Sequence, residues 1–163
     1  MTTGEGSLGL LATPAEMRAM GATEAQVQHQ AAGLALLSRE RRVEQDQIRA
    51  EQARMAQVLS AAAPDAADKR ASQVRAHLMP CLAGNDYYMV TWNLGASKDC
   101  LANAGTWNAS PVLIHTKSVR PGNNVGRVYY PWGEYWYWSP WRGKSMSTYT
   151  FDSPVNAYKI QIQ

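Results

Sequence analysis

The aromatic side chains of this chain are confined to its second half. Residues 1–80 contain no Phe, Tyr or Trp, whereas residues 81–163 contain all fifteen, as one Phe, eight Tyr and six Trp. Aromatic side chains supply much of the buried area of small cores, so the two halves cannot share one architecture. We expect an α part followed by an all-β part, with the boundary near Pro80.

Charge divides at the same point. Nine Lys/Arg and nine Asp/Glu precede residue 81, and seven against four follow it, so the net charge of +3 belongs to the second half. This excess forms no run, whereas a nucleic-acid partner requires a concentrated basic surface. No stretch approaches the roughly 20 apolar residues of a membrane span, and the N-terminus lacks the order of a secretory signal. We expect no nucleic-acid partner, no membrane span and no export by the general secretory route.

A helical segment is predicted at residues 14–79, after a flexible N-terminal arm at residues 1–13. Thr13-Pro14-Ala15-Glu16 is typical of a helix start with a capping box, and Thr23 offers a second start. The residues that follow are good helix formers and include no Pro before residue 64. They predict one long helix, or two broken near Gly33, with a short further helix at residues 69–78.

A seven-residue repeat marks one apolar stripe on this helical segment. It carries Val27, Leu34, Leu37, Ile48, Met55 and Val58. So narrow a stripe cannot offset the entropy of ordering a long helix without partners along its length. We expect these residues to join a coiled coil of two or three copies, and helix packing on a larger assembly is the alternative.

Short β-type runs separated by Gly, Pro, Asn and Ser fill residues 80–163, which is typical of a small antiparallel sandwich or barrel. Cys81 and Cys100 flank the first predicted strand. A disulfide between them would close a loop of about twenty residues and contribute roughly 3 kcal/mol. Two reduced, buried thiols are the alternative.

Four motifs of this half are similar to a known family. They are Cys81, Asp86-Tyr87-Tyr88, Cys100-Leu101-Ala102-Asn103-Ala104-Gly105 and Pro121-Gly122-Asn123-Asn124. In this order they resemble the β/γ-crystallin-type domain of Streptomyces killer-toxin-like proteins. The resemblance covers residues 81–163 alone and implies a Greek-key β-sandwich. Trp136, Trp141 and Gly143 also fit a crystallin-type aromatic pattern.

Many relatives of that type bind calcium through two Asn/Asp residues followed by Ser or Thr. Here Asn123-Asn124 is followed by Val125 and Gly126 and then by Arg127, which supplies no hydroxyl ligand and adds positive charge. We therefore expect no metal and assign the two Asn residues to a turn.

No local pattern indicates catalysis. The three His residues are scattered at positions 29, 77 and 115, and no nucleophile motif or phosphate loop is present. Asp99 with Glu134 is an acid/base pair that nothing marks as catalytic. We expect a non-enzymatic protein without a cofactor.

Residues 129–143 contain eight Tyr or Trp. Alternate residues of a strand face opposite ways, so both faces of this segment are aromatic and only one can be the core. Pro131 and Pro140 bracket the run, which favours an edge strand. We predict a partly exposed contact surface formed by Trp132, Tyr135, Trp136, Trp138 and Trp141. The alternative is that these residues only close the sandwich.

Three functions follow from this organisation. A disulfide together with the lack of a signal favours a bacteriophage virion protein, made in the host cytoplasm and displayed on the head or tail surface. Its helices would anchor it to other virion proteins, and its β domain would face outward and bind cell-surface carbohydrate. One alternative is a bacterial killer-toxin-like protein or toxin-complex component, released or secreted by a non-standard route, with the β domain as its active or receptor-binding part. The other is a cytosolic structural protein.

Overall fold

A computed structural model of the chain describes residues 9–61 and 75–163. Its helices are α1 (Pro14–Ala19), α2 (Glu24–Ala35) and α3 (Arg39–Ala61). Its strands are β1 (Leu10–Leu11), β2 (His77–Met79), β3 (Tyr88–Trp92), β4 (Ser97–Ala102), β5 (Gly105–Arg120), β6 (Gly122–Trp132), β7 (Tyr135–Trp138), β8 (Arg142–Ser145) and β9 (Tyr149–Ile162). The prediction of a chain that combines helices with an antiparallel sheet is confirmed, although β1 precedes the helices.

The first two helices begin where the sequence predicts. Thr13 accepts a hydrogen bond from the Glu16 N–H, and the Glu16 carboxylate accepts one from the Thr13 N–H. Thr23 and Gln26 form the same capping box at the start of α2. Each box satisfies backbone N–H groups that have no partner within the helix, which fixes the helix start.

The long helix of the prediction is instead three shorter ones. α2 continues through Gly33 to Ala35, and α3 begins at Arg39. The predicted alternative of a break near Gly33 is close to what is observed, because α2 ends two residues after Gly33. Gly33 itself allows close packing. A Cβ at this position would lie 2.2 Å from a ring carbon of Tyr135 in β7.

Part of the predicted flexible arm belongs to the sheet. Leu10 and Leu11 pair with Trp138 and Tyr137 of β7, and both leucines are buried. Residues 1–8 of the arm lie outside the described residues. Of the short helix predicted at 69–78, residues 69–74 also lie outside them, and His77–Met79 is the strand β2.

All nine strands of the described residues belong to one antiparallel sheet in the order β1-β7-β6-β9-β5-β3-β4-β2, with β8 beside β6. The inner core contains side chains from β3, β4, β5, β6 and β9, including Tyr88, Leu101, Val128, Phe151 and Ile160. One face of one sheet encloses this core, so the sheet is strongly curled. The two-sheet Greek-key arrangement is not confirmed.

A close approach of backbones joins the start of β6 to the segment before β3. The Asn123 N–H donates to the Asp86 carbonyl at 2.8 Å, and the Asn124 side chain donates to the same oxygen at 3.3 Å. Gly122 has φ +63°, and a Cβ there would lie 2.2 Å from that carbonyl oxygen. Only glycine fits this position, and the two Asn residues serve the turn.

The predicted disulfide is present. Cys81 and Cys100 are bonded, with Cα atoms 5.4 Å apart. Cys100 lies in β4 and is completely buried, whereas Cys81 lies in the segment between β2 and β3. The bond ties that segment to the sheet.

Two of the six residues in the apolar stripe predicted to join copies of the chain pack on the chain's own sheet. Val27 is completely buried in an outer cluster with Tyr129 and Trp138, and Ile48 packs against this cluster. Of the remaining stripe residues, Val58 is exposed. The other three are half-buried: Leu34, Leu37 and Met55. The helices therefore cover the outer face of β6 and β7, and dimer or trimer formation has no support from this packing.

Glutamine side chains fasten the helices to backbone groups of the sheet. Gln30 of α2 accepts from the Trp136 N–H at 3.0 Å and donates to the Trp136 carbonyl at 2.9 Å. Gln45 of α3 accepts from the Leu11 N–H at 2.8 Å. These bonds satisfy polar groups on β1 and β7, at one end of the strand order, and fix where the helices lie.

A candidate binding cleft beside Trp136

A row of polar and aromatic side chains crosses the outer face of the sheet. Asn108 of β5 pairs with Lys159 of β9, which pairs with Tyr129 of β6, which pairs with Trp138 of β7. Residues directly opposite each other in antiparallel strands share a face. The register therefore brings Lys159 beside the aromatic residues on which the helices pack.

A local irregularity adds one more aromatic residue to this face. Ala157 and Ile160 both point into the inner core, so the inward and outward alternation of β9 skips one residue between them. Tyr158 and Lys159, although adjacent in sequence, therefore both lie on the outer side. The register between β5 and β9 shifts at the same place, between Asn108 and Leu113. Such irregularities re-aim side chains and occur often beside functional sites.

These residues form one side of a cleft of about 270 Å³, and the turn between α1 and α2 forms the other. We name it the aromatic cleft. It is lined by Met20, Gly21, Ala22, Gln26, Tyr129, Trp136, Tyr158 and Lys159.

Trp136 forms the aromatic surface of the cleft. Its ring stacks on Tyr129 at 4.9 Å between centroids with an interplanar angle of 15°, and it meets Tyr158 edge-on at 4.9 Å and 83°. Both arrangements are favourable for aromatic pairs. Gln30 holds the Trp136 backbone on both its N–H and its carbonyl. The half-buried indole is therefore held rigidly with part of its surface open.

The helical wall of the cleft depends on a glycine turn. Gly21 follows α1 with φ +84°, and its N–H donates to the Arg18 carbonyl at 3.0 Å. The Ala22 N–H donates to the Met17 carbonyl at 3.0 Å. This left-handed position satisfies the last carbonyls of α1 and reverses the chain into α2. Met20 and Ala22 then pack against the outer cluster.

Tyr129 brings an unused polar group to this region. The residue is 2% exposed, and its hydroxyl forms no hydrogen bond with any residue that the structure describes. Burial raises the pKa of the phenol, so it stays protonated and remains able to donate. The hydroxyl itself is buried, so Tyr129 contributes its ring rather than its hydroxyl to the cleft.

An ion network holds α1, and with it the helical wall, onto the sheet. Glu16 of α1 lies 3.2 Å from the Arg49 guanidinium of α3 and 3.9 Å from that of Arg127 in β6. Arg127 is half enclosed by aromatic rings, with its guanidinium 3.7 Å above the Trp138 ring. Burial lowers the pKa of Arg127 to about 10, so it remains charged at neutral pH. The Glu16 carboxylate thus pairs with two cations and also caps α1.

Replacement of Glu16 by Gln is expected to lower the free energy of unfolding by about 1–3 kcal/mol at pH 7, because two partly buried cations lose their anion. Gln preserves the capping box, as Gln26 does in α2. The matched control is Glu24→Gln, since Glu24 pairs with Arg18 on the exposed surface. Its effect should be much smaller, because an exposed ion pair is screened by solvent. Urea unfolding followed by tryptophan fluorescence measures both.

Glu16 also makes the folding stability of the chain depend on pH. Burial alone would raise the pKa of the Glu16 carboxyl, but the Thr13 N–H and the Arg49 guanidinium outweigh it and hold that pKa below its ordinary value. A depressed pKa gives stability that is complete above about pH 5 and is lost as the pH falls through the folded value. The difference in stability between the natural chain and Glu16→Gln should therefore shrink on acidification below about pH 4. An unchanged difference would contradict the network.

Of the five aromatic residues predicted to form a contact surface, one lines the aromatic cleft. This residue is Trp136. Trp138 is only 1% exposed, so its role as a contact residue is corrected to a packing role in the outer cluster. Trp132 is 49% exposed, and it precedes the two-residue turn between β6 and β7, outside the cleft.

The other two predicted residues pack against the helices and against Arg127. The Tyr135 ring stacks on His29 of α2 at 5.3 Å. The Trp141 ring lies 4.5 Å beneath the Arg127 guanidinium, and its backbone N–H donates to Gln52 of α3 at 2.6 Å. Both side chains are half-buried. The face opposite the core is thus largely covered by the chain's own helices.

Sequence reasoning missed most of the cleft. Tyr158 and Lys159 lie in a run with ordinary strand character, and no local signal shows that both face outward. Met20 and Gln26 belong to a helical segment that the sequence assigns to a separate part. Of the cleft residues that were missed, only Tyr129 had a signal in the sequence, because it is the first residue of the aromatic run.

Comparison of the chain with protein-family models, with curated proteins and with solved structures finds no match. Among residues 9–61 and 75–163, no group of three or more His, Cys, Asp or Glu is placed to hold a metal ion. Within the same residues no helix is long and apolar enough to cross a membrane. The fold and the cleft therefore define the chain as a mixed α and antiparallel β protein with an aromatic surface cleft.

Proposed function

We propose that this chain is a non-enzymatic, saccharide-binding protein of a bacteriophage virion surface, and that the aromatic cleft is its binding site. The observation that carries the proposal is the half-buried Trp136 ring, which contacts Tyr129 and Tyr158 and lines a cleft together with polar groups. A sugar ring has an apolar face and a rim of hydroxyl groups. It therefore requires an aromatic surface and hydrogen-bonding groups side by side.

The dimensions of the cleft support a small sugar. Its volume of about 270 Å³ lies just under the range of about 300–1,000 Å³ that is usual for drug-sized ligands. One or two sugar rings fit such a space. The Gln26 amide and the Lys159 ammonium supply donors around it.

The virion setting is supported by the disulfide, since such bonds persist where the protein works outside a reducing cytosol. The proposal keeps the crystallin-type relationship of residues 81–163, which rests on the motifs at residues 100–105 and 121–124. It does not include a coiled coil, because the helices are short and Val27 and Ile48 of the predicted stripe pack on the sheet. Capsid and tail genes beside the gene for this chain would support the setting, and immunity or secretion genes would contradict it.

Removal of the Trp136 ring should weaken saccharide binding by about ten-fold or more, because a stacking contact is worth on the order of 1.5 kcal/mol. Isothermal titration of the full chain with a panel of neutral and acidic oligosaccharides identifies a ligand and then compares Trp136→Ala with the natural chain. Tyr158→Ala is the second variant, because Tyr158 is 37% exposed and its removal should leave the melting temperature almost unchanged.

Trp132→Ala is the control for this experiment, since Trp132 is exposed outside the aromatic cleft. It should bind as the natural chain does. Lost binding in Trp132→Ala with full binding in Trp136→Ala would move the site to the turn between β6 and β7. Binding of none of the saccharides at millimolar concentration would overturn the proposed function.

A further inference from the structure

The charged groups around the aromatic cleft narrow the class of saccharide. Lys159 is the one charged residue among those that line the cleft, and no Asp or Glu is among them. Two carboxylates on the same helices are engaged elsewhere, since Glu16 pairs with Arg49 and Arg127 and Glu24 pairs with Arg18. The cleft therefore presents positive charge to a ligand.

Lys159 is held in place without being neutralised. Its ammonium donates to the Asn108 side-chain oxygen at 2.6 Å, across the β5–β9 register in which the two residues are directly opposite. It forms no ion pair with any residue in the part of the chain that the structure describes. One neutral hydrogen bond leaves two N–H donors, so the ammonium is both positioned and available.

Partial burial makes an anionic partner favourable. Lys159 is half-buried, and this partial burial lowers the pKa of its ammonium. A partly desolvated cation without a counter-charge is costly, and an anion brought by a ligand offsets that cost through a charge-assisted hydrogen bond. The half-buried position of Lys159 beside the Tyr129 ring therefore favours a negatively charged ligand over a neutral one.

The aromatic surface of the cleft favours one class of anionic ligand over another. Trp136 offers a flat apolar ring, which needs a flat apolar face on the ligand. A phosphorylated polyol has charge but no such face, whereas a uronic acid carries its carboxylate directly on a pyranose ring. We propose that the aromatic cleft selects acidic pyranoses, with the ring on Trp136 and the carboxylate on Lys159. This inference rests on the proposed function and specifies its ligand class.

The test compares two disaccharides on the full chain by isothermal titration, one containing glucuronic acid and the other neutral cellobiose. The uronate should bind about ten-fold more tightly. Lys159→Gln should weaken uronate binding by about the same factor and leave cellobiose binding unchanged. Lys117→Gln is the matched control, because Lys117 is exposed in β5 and its replacement changes the net charge equally.

The outcomes separate this inference from the proposed function. Equal binding of the two disaccharides, or equal effects of Lys159→Gln and Lys117→Gln, would overturn the acidic preference while leaving saccharide binding in place. Displacement of the uronate by inorganic phosphate at the same concentration would show a plain anion site and would also overturn it. Failure of every oligosaccharide to bind would overturn the proposed function, and with it this inference.

Discussion

Replacement of Trp138 by Ala is expected to lower the free energy of unfolding by about 3–5 kcal/mol. The ring is 1% exposed and lies in the outer cluster where α1, α2 and the sheet meet. It contacts Tyr129 at 4.9 Å and carries the Arg127 guanidinium 3.7 Å from its ring centre. Its loss would leave a cavity and would remove the surface on which a partly buried cation rests. Urea unfolding measured by circular dichroism gives the change without relying on the lost fluorophore.

Trp132→Ala is the matched control for this change. It removes the same side chain from the same aromatic run, but at a position that is 49% exposed. Its effect should stay within about 1 kcal/mol. Equal losses of stability in the two variants would contradict the packing of the helices on the outer face of β6 and β7.

Removal of the disulfide is the second change with a large expected effect. The bond closes a loop with a sequence separation of 19 between Cys81 and Cys100. In the chain-entropy model a loop of this length contributes about 3 kcal/mol, by restricting the unfolded chain. The double variant Cys81→Ala/Cys100→Ala should lose about that amount, and a further part comes from the buried atoms of Cys100.

Reduction of the natural chain separates these two contributions. Unfolding with and without a thiol reductant measures the bond alone, since reduction retains both sulfur atoms. The reductant should have no effect on the double variant. Saccharide binding should survive in folded, reduced protein, because none of the residues that line the aromatic cleft belongs to β2, β3 or β4. A natural chain equally stable in its oxidised and reduced forms would contradict the prediction.

Local chemistry was enough to predict the helix caps, the disulfide and the turn at Asn123. Each depends on residues that are close in sequence or on the only two cysteines in the chain. Thr13 with Glu16 forms a capping box whatever the rest of the fold does. These features could therefore be derived without knowledge of the tertiary structure.

The partner of the apolar stripe could not be derived in the same way. Val27 and Ile48 recur at a spacing that suits a coiled coil, a larger assembly or the helix's own sheet equally well. The choice depends on whether an apolar surface elsewhere in the chain is left uncovered. Tyr129 and Trp138 supply that surface, and the alternation of the aromatic run had already indicated that one of its two faces would need a cover.

The aromatic cleft depends on the register in which β9 pairs with β6 and β5, and this register could not be derived from the sequence. Lys159 meets Tyr129 and Asn108 because β9 lies between β6 and β5 in the sheet order. Tyr158 joins them through one skipped residue in the alternation of β9. Strand order and such irregularities arise from long-range pairing, so composition and periodicity cannot reveal them.

The most direct test of the proposed site is a two-dimensional proton–nitrogen NMR titration of the six tryptophan indole N–H signals, with the saccharide that binds in calorimetry. The Trp136 indole signal is identified as the one that is missing from the spectrum of Trp136→Phe. We expect the Trp136 indole signal to shift on titration, whereas those of Trp107 and Trp132 stay in place because neither ring lines the aromatic cleft. A moving Trp132 signal with a stationary Trp136 signal would contradict the assignment of the aromatic cleft as the binding site.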